Sequence, residues 1–191
     1  MKTPKQEIAD EAILHCLQVS GETDRGFLLL MEKYQERLYW HIRRLVLEHE
    51  DANDVLQNCL VKVFRNIERF EGKSKLYTWL YRIATNEAIT YLQKQKRRQT
   101  DSIHDEESHL ENQLKADTYF DGDQAVIQLQ KALTTLPEKQ RLVFQLRYFE
   151  ERPYQEISEM LDTSVGALKA SYHHAVKKIE KYVRQSESFL D

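Results

Sequence analysis

Apolar residues recur at steps of three and four along most of the chain, which is the spacing of one buried face of an α-helix. Three such stripes follow one another in the first hundred residues. Their members are Met31, Tyr34, Leu38, Ile42 and Leu45, then Val55, Cys59, Val63, Ile67 and Phe70, then Leu76, Leu80, Ile83, Ala84, Tyr91 and Leu92. These stripes predict a bundle of three or four helices over about residues 24–96, and a short helix is expected before it, around residues 8–17.

Shorter stripes follow in the last third of the chain, and two prolines separate them. Pro137 ends one helix because it has no amide hydrogen to donate, and Pro153 suits the first turn of another helix. After that helix, residues 162–164 form a three-residue turn in which Ser164 can cap the final helix. The stripe residues are Val126, Leu129, Leu133 and Leu136, then Leu142, Val143 and Leu146, then Tyr154, Ile157 and Leu161, then Leu168, Tyr172, Ala175, Ile179 and Tyr182.

Composition supports an all-α fold without strands, since the chain has 31% charged residues, five glycines and three prolines. The distribution of charge along the sequence indicates two small helical domains with an acidic segment between them. Residues 62–99 carry ten basic and three acidic side chains, whereas residues 101–123 carry eight acidic and one basic. The acidic segment has no sustained apolar stripe and is predicted to be a linker. The predicted domains are an N-terminal extension (1–23), a first helical domain (24–98), the acidic linker (99–124), a second helical domain (125–185) and a C-terminal tail (186–191).

Several function classes lack their sequence signals. No run of roughly 20 apolar residues or signal-peptide pattern occurs, so we expect a cytoplasmic protein that does not insert into membranes. Cys16 and Cys59 stand alone, and adjacent His173 and His174 point about 100° apart on a helix, so no metal is expected. The sequence has no Gly-rich phosphate loop, no HExxH motif and no nucleophile elbow. We therefore expect that the protein is not an enzyme and that it uses no cofactor and no small-molecule substrate.

The second domain has the form of a DNA-binding helix-turn-helix, because a short helix, a tight turn and a longer helix can place the longer helix in the major groove. A plain helical hairpin would show the same apolar stripes. The exposed face of the last helix favours DNA, since its cations can release counterions from phosphates. That face carries Lys169, His173, Lys177, Lys178, Lys181 and Arg184 beside one acid, Glu180.

Two motifs resemble one known family, the extracytoplasmic-function (ECF) sigma factors of the sigma-70 type. Residues 70–86, FEGKSKLYTWLYRIATN, are similar to the family's loop and helix that hold the melted minus-ten element. The Leu136-Pro137 pair, Arg141, the YQEI start of one helix and the VGALK start of the last helix are similar to the family's domain four. The resemblance covers nearly the whole chain and implies a sigma domain 2, a linker and a sigma domain 4.

For the minus-ten element, the resemblance implies a pocket for one flipped-out base of the nontemplate strand, lined by Phe70, Ile83 and Asn86 and surrounded by a loop. The alternative for Asn86 is a helix-internal side chain bonded to its own backbone. The alternative for Trp79, which we favour, is core packing. The complete set of expected minus-ten residues is Phe70, Gly72, Lys73, Ser74, Tyr77, Trp79, Arg82, Ile83 and Asn86.

The resemblance also implies two further surfaces. Core polymerase is expected to contact Asp54, Gln57, Asn58, Lys62 and Arg65, where Asn58 replaces a residue that is commonly Glu in the family. A solvated amphipathic face would show the same pattern. The minus-thirty-five element is expected to contact Val165, Gly166, Lys169, Ala170, His173, His174 and Lys177. Family members often have Arg there, and neither Lys nor His offers the guanidinium fork that reads guanine.

The implied function is therefore a transcription initiation factor whose partners are core RNA polymerase, promoter DNA and an anti-sigma factor. The resemblance also implies that the acidic linker passes through a polymerase channel. The alternative within DNA binding is a helix-turn-helix regulator that is not itself a sigma subunit. A response regulator would need an α/β receiver domain, and no alternating strand and helix pattern precedes residue 124. A helical adaptor that binds only protein is the remaining alternative.

Overall fold

The computed structural model describes residues 8–19, 21–99 and 124–187, and all regular structure in these ranges is helical. The chain divides into two compact units, with the boundary between Lys96 and Arg97. The helices are α1 (Asp10–Gln18), α2 (Thr23–Val46), α3 (His49–Asn66), α4 (Leu76–Gln99), α5 (Gln124–Thr134), α6 (Glu138–Tyr148), α7 (Tyr154–Leu161) and α8 (Val165–Glu187), and a 3-10 turn at Ile67–Arg69 follows α3. The all-α fold class is confirmed.

The core of the first unit is built from the three apolar stripes that the sequence predicts. Tyr34, Leu38 and Ile42 of α2 are buried, as are Cys59 and Val63 of α3 and the Leu80 and Ala84 side chains of α4. Each large apolar side chain that leaves water contributes roughly 1.5–3 kcal/mol, so these stripes supply the main drive for α2, α3 and α4 to pack together.

Helix α1 packs against α2 at a glycine. The sequence predicts a short helix here, and the structure adds that Ile13, Cys16 and Leu17 are buried in the first unit. A Cβ atom on Gly26 would lie 2.7 Å from Leu17 Cγ and 2.8 Å from the Leu17 backbone nitrogen. Only glycine lets the two backbones approach this closely. The Asp10 carboxylate accepts hydrogen bonds from Lys33 Nζ and Tyr34 Oη, both at 2.6 Å, and fixes the start of α1 on α2.

A buried polar pair joins α2 to α4. His41 Nε2 lies 2.9 Å from Thr85 Oγ1, and both side chains are almost fully buried. The His41 ring also packs on the Tyr81 ring, with centroids 4.8 Å apart. Burial, together with the smaller effect of the nearby Arg44 charge, lowers the pKa of His41 to about 3, so the imidazole is neutral at physiological pH.

The second unit packs α5, α6 and α7 around α8. Its core cluster consists of Ala132, Leu133, Leu136, Phe144, Ala175 and Ile179. One predicted core residue is wrong: Val126 is 37% exposed, and its neighbour Ile127 is buried instead. Both residues are apolar, so periodicity alone could not distinguish a stripe through Val126 from one rotated by a single residue. Met160 is likewise buried beside the predicted Leu161, which is only partly covered.

Some predictions fall outside the described residues. These are residues 100–123 of the predicted acidic linker, residues 1–7 and 20 of the predicted extension, and residues 188–191 of the predicted tail. Within the described ranges, α8 runs to Glu187, two residues beyond the predicted end of the second domain. No helix in these ranges combines the length and the apolar character that crossing a bilayer requires.

Candidate nucleic-acid interface

Helices α7 and α8 form the predicted helix-turn-helix. Asp162 ends α7 in the left-handed conformation, with φ of 47°, so the chain turns sharply within three residues. The Ser164 hydroxyl then accepts a hydrogen bond from the Ala167 amide at 3.4 Å, which confirms the predicted cap of α8. Pro153 occupies the N-cap position of α7, one residue before the predicted first turn.

The face of α8 that the sequence assigned to DNA is open to solvent. Its exposed members are Gly166, Lys169, Ala170, His173, His174 and Lys177, and Val165 at the helix start is half-buried. Farther along, Lys178, Lys181 and Arg184 are exposed as well. Because the opposite face is held in the core by Leu168, Ala175 and Ile179, the cations project from a fixed helix rather than from a loop.

Two cations flank one aromatic ring at the start of the helix-turn-helix. The Lys169 ammonium lies 6.0 Å from the centroid of the Tyr154 ring, and the Arg147 guanidinium lies 5.4 Å from the same centroid. Tyr154 also meets Tyr172 edge to face, with centroids 6.4 Å apart. Cations within about 6 Å of an aromatic face are attracted to it, so Tyr154 helps to orient Lys169.

In the first unit, the outer face of α4 brings together Trp79, Ile83 and Asn86, which are spaced by four and three residues. Trp79 and Ile83 are half-buried and Asn86 is exposed. The Phe70 ring is buried and packs against Trp79, with ring centroids 5.3 Å apart. Trp79 therefore packs against the buried Phe70 ring while part of its side chain stays exposed, and its role in base contact stays a prediction.

Asn86 has its side-chain amide available. Thr90 Oγ1 donates a hydrogen bond to the Asn86 backbone carbonyl at 2.7 Å, but no hydrogen bond joins the Asn86 amide to the described part of the chain. The alternative in which this side chain bonds its own helix is therefore not what the structure has. An exposed amide of this kind can both donate to and accept from a base edge.

The loop before α4 depends on a glycine. Gly72 has a φ of +70° and open space around its missing Cβ, so conformation and not packing requires glycine there. The exposed Lys73 pairs with the exposed Glu71 across this glycine. Ser74 is half-buried and Arg82 is exposed.

Tyr77, like Phe70, is an expected minus-ten residue that belongs to the core. Its side chain is buried, and its ring packs on Tyr81 with centroids 4.0 Å apart and lies 6.5 Å from Tyr34. A ring in this position has too little free surface for a direct base contact. Its packing against Tyr81 and Tyr34 instead helps to hold the first turn of α4 in the core.

The outward face of α3 is polar at the expected positions and apolar between them. Asp54, Gln57, Asn58, Lys62 and Arg65 are all exposed. Val61 and Phe64 lie among them and are each 48% exposed, and Phe64 meets Phe27 edge to face at 5.2 Å. Leu28 is exposed beside Phe27. This apolar surface was not predicted from the sequence, although two apolar residues on the outward side of an amphipathic stripe are a signal for it.

The sequence and the fold both match known proteins. The family model Sigma-70 region 2 matches residues 30–98, and Sigma-70, region 4 matches residues 127–179. An ECF RNA polymerase sigma-E factor of Haemophilus influenzae is 29% identical over 94% of this chain and 97% of its own. The RNA polymerase sigma-H factor of Pseudomonas aeruginosa is 31% identical over 82% of this chain and 86% of its own.

Two solved structures share the fold. One is the sigma factor RpoE of Bartonella quintana in complex with the anti-sigma factor NepR, with a TM-score of 0.63 and 22% identity over 85% of this chain and 97% of that one. The other is CnrH in complex with the cytosolic domain of CnrY, with a TM-score of 0.67 and 19% identity over 93% of this chain and 99% of that one.

A helix-turn-helix with a cationic outer face, in a chain that also carries a separate helical unit, is typical of a DNA-binding protein. The two region matches and the sigma-H relative specify the class further. The chain belongs to the sigma-70 family of RNA polymerase sigma factors and to its ECF group.

Proposed function

We propose that this chain binds core RNA polymerase and directs it to specific promoters, with the first unit opening and reading the minus-ten element and the second unit reading the minus-thirty-five element. The observation that carries the proposal is the presence of both sigma regions, in order, on one chain. A regulator that only binds duplex DNA would need the second unit but not the first.

For the minus-ten element, we assign base capture to the outer face of α4. Trp79 offers a half-buried aromatic face, Ile83 an apolar floor, and Asn86 an exposed amide. Flipping a base out of the duplex costs a few kcal/mol, which stacking and hydrogen bonds at the protein surface can offset. The loop around Gly72, with Lys73 and Ser74, and the exposed Arg82 lie where phosphates of the melted strand would pass. Phe70 acts through Trp79, and Tyr77 is left out of the contact set.

For the minus-thirty-five element, we assign the exposed start of α8. Val165, Gly166 and Ala170 are small enough for close approach to the groove, while Lys169, His173, His174 and Lys177 supply polar and charged contacts. Because Lys and His lack the bidentate fork of Arg, phosphate contacts and DNA shape carry a larger share of recognition than guanine contacts do.

For core polymerase, we assign the outward face of α3. Val61 and Phe64 form its apolar centre, and Asp54, Gln57, Asn58 and Arg65 form a polar rim. Protein interfaces commonly have this arrangement of an apolar core inside a polar rim. Lys62 lies at the edge of this face.

The remaining assignments follow from the proposed role. The chain catalyses no reaction itself and needs no cofactor, since polymerase performs the chemistry. It works in the cytoplasm, where core polymerase and promoter DNA are found. A protein inhibitor of the anti-sigma type is a further expected partner, because RpoE was solved in complex with the anti-sigma factor NepR and CnrH was solved with the cytosolic domain of CnrY.

Run-off transcription with purified core polymerase tests the proposal. Adding this protein should give specific transcript starts on genomic fragments that core polymerase alone does not use. If the protein binds DNA fragments but stimulates only polymerase that already carries another sigma subunit, the chain is a helix-turn-helix regulator. If it binds polymerase and no DNA, it is an adaptor.

A further inference from the structure

Lys62 and Glu87 form an ion pair that joins α3 to α4. The Lys62 ammonium donates a hydrogen bond to Glu87 Oε1, across 25 positions of sequence. The two side chains differ in exposure: Lys62 is 54% exposed, and Glu87 is only 12% exposed. The pair therefore lies at the edge of the contact between the two helices, with its acid inside and its cation outside.

Glu87 sits next to Asn86, to which we assign base reading. Successive residues point about 100° apart on a helix, so Glu87 faces α3 while Asn86 faces solvent. The buried Cys59 thiol, one turn before Lys62, interacts electrostatically with the same carboxylate. Burial raises the pKa of Cys59 to about 12, and the Glu87 charge contributes to the rise. A carboxylate in this partly desolvated position needs a cation, because water stabilises it poorly there.

We propose that Lys62 is a positioning residue for promoter opening, which holds α4 and its Asn86 in register against α3 through Glu87 and does not itself contact core polymerase. This inference rests on the proposed function of the two helices. It separates Lys62 from Asp54, Gln57, Asn58 and Arg65, with which the sequence grouped it, because Lys62 alone in that set forms a described ion pair with α4.

Charge exchange between the two positions distinguishes positioning from direct contact. The test compares Lys62→Glu, Glu87→Lys and the double exchange in the full chain bound to core polymerase. The double variant Lys62→Glu with Glu68→Lys has the same net charge as the exchange, but Glu68 is an exposed acid in the 3-10 turn and makes no ion pair with the described side chains of α4. Titration of labelled protein with core polymerase gives affinity, and 2-aminopurine in the nontemplate strand gives the opening rate at saturation.

We expect each single variant to slow opening about tenfold while affinity for core polymerase stays within twofold of wild type. The exchange should restore opening to within about threefold, and the Glu68 variant should not. The inference is wrong if the charge-exchange variant opens DNA as slowly as the single variants. It is also wrong if affinity for core polymerase depends on the residue at position 62 and not on the residue at position 87. If a charge reversal unfolds the unit, Lys62→Gln and Glu87→Gln replace it, because they break the pair without repulsion. Both should slow opening while affinity for core polymerase stays unchanged, and a loss of affinity in Lys62→Gln alone would overturn the inference.

Failure of the proposed function gives a different result. In that case the wild-type protein itself neither joins core polymerase nor opens a template, and no variant is needed to see it. That outcome overturns the inference together with the function, whereas active wild-type protein with an unrescued exchange overturns the inference alone.

Discussion

At the scale of single residues, His41 shows how burial sets a chemical property. Its imidazole is enclosed between α2 and α4 and meets Thr85 and Tyr81. Burial lowers its pKa from 6.5 to about 3, so between these values the folded protein keeps the ring neutral while the unfolded chain protonates it. Because the unfolded state then binds the extra proton, stability of the first unit falls as pH drops below 6.5.

This gives a prediction for His41→Gln, which keeps a polar group near Thr85 but cannot titrate. From pH 7.5 to pH 5, wild type should lose about 2 kcal/mol more of unfolding free energy than the variant. Urea unfolding followed by tryptophan fluorescence reports on the right unit, because Trp40 and Trp79 both lie in it. Parallel loss of stability in the two proteins would show that His41 is not held neutral.

Asn86 leads to a second prediction at this scale. Asn86→Ala should leave folding unchanged because the side chain is exposed and bonded to no other described group. Loss of its hydrogen bonds to an unpaired base should slow promoter opening about tenfold, since one hydrogen bond contributes on the order of 1 kcal/mol. The matched control is Gln93→Ala, an exposed amide two turns farther along the same face. Equal effects of the two variants on the opening rate would remove Asn86 from the base-reading set.

At the scale of single helices, α8 combines a core face with a free cationic face, and Lys169 lies at its start beside the Tyr154 ring. Lys169→Ala should weaken binding to minus-thirty-five duplex by roughly three- to tenfold and lower the salt slope by about one if the contact is to phosphate. Lys178→Ala removes the same charge from the opposite edge of the exposed face, about 180° around the helix from Lys169, and should have a smaller effect. Unchanged promoter affinity and transcription for Lys169→Ala would contradict the assignment.

The outward face of α3 leads to the second prediction at this scale. Val61→Asp places a carboxylate in the apolar centre of the proposed polymerase contact and should weaken core binding about tenfold, since burying an unpaired charge is costly. Val126→Asp is the control, because Val126 is also a partly exposed valine but lies in the second unit. A titration in which both variants bind core polymerase as wild type does would exclude the α3 face as the contact.

At the scale of the whole molecule, the sequence predicts the helices well because each carries its own apolar stripe. Tyr34, Cys59 and Leu146 are buried as expected, and Ser164 caps α8 as expected. Val126 was assigned to the core in error, since two adjacent apolar residues fit the same period equally well.

Contacts between helices were harder to predict, because periodicity describes one helix at a time. The burial of Tyr77, the packing of Phe70 behind Trp79 and the ion pair of Lys62 with Glu87 all depend on how neighbouring helices meet. The expected minus-ten set therefore combines core residues, such as Phe70 and Tyr77, with surface residues. The roles of the exposed residues in it stay predictions.

The proposed function requires that this one chain lets core polymerase open DNA at specific sites. Permanganate reactivity of unpaired thymines, measured on promoters mapped by run-off transcription, tests it most directly. Reactive thymines are expected near the minus-ten element only when core polymerase and this protein are both present. Reactivity with core polymerase alone, or none with the two proteins together, would contradict it.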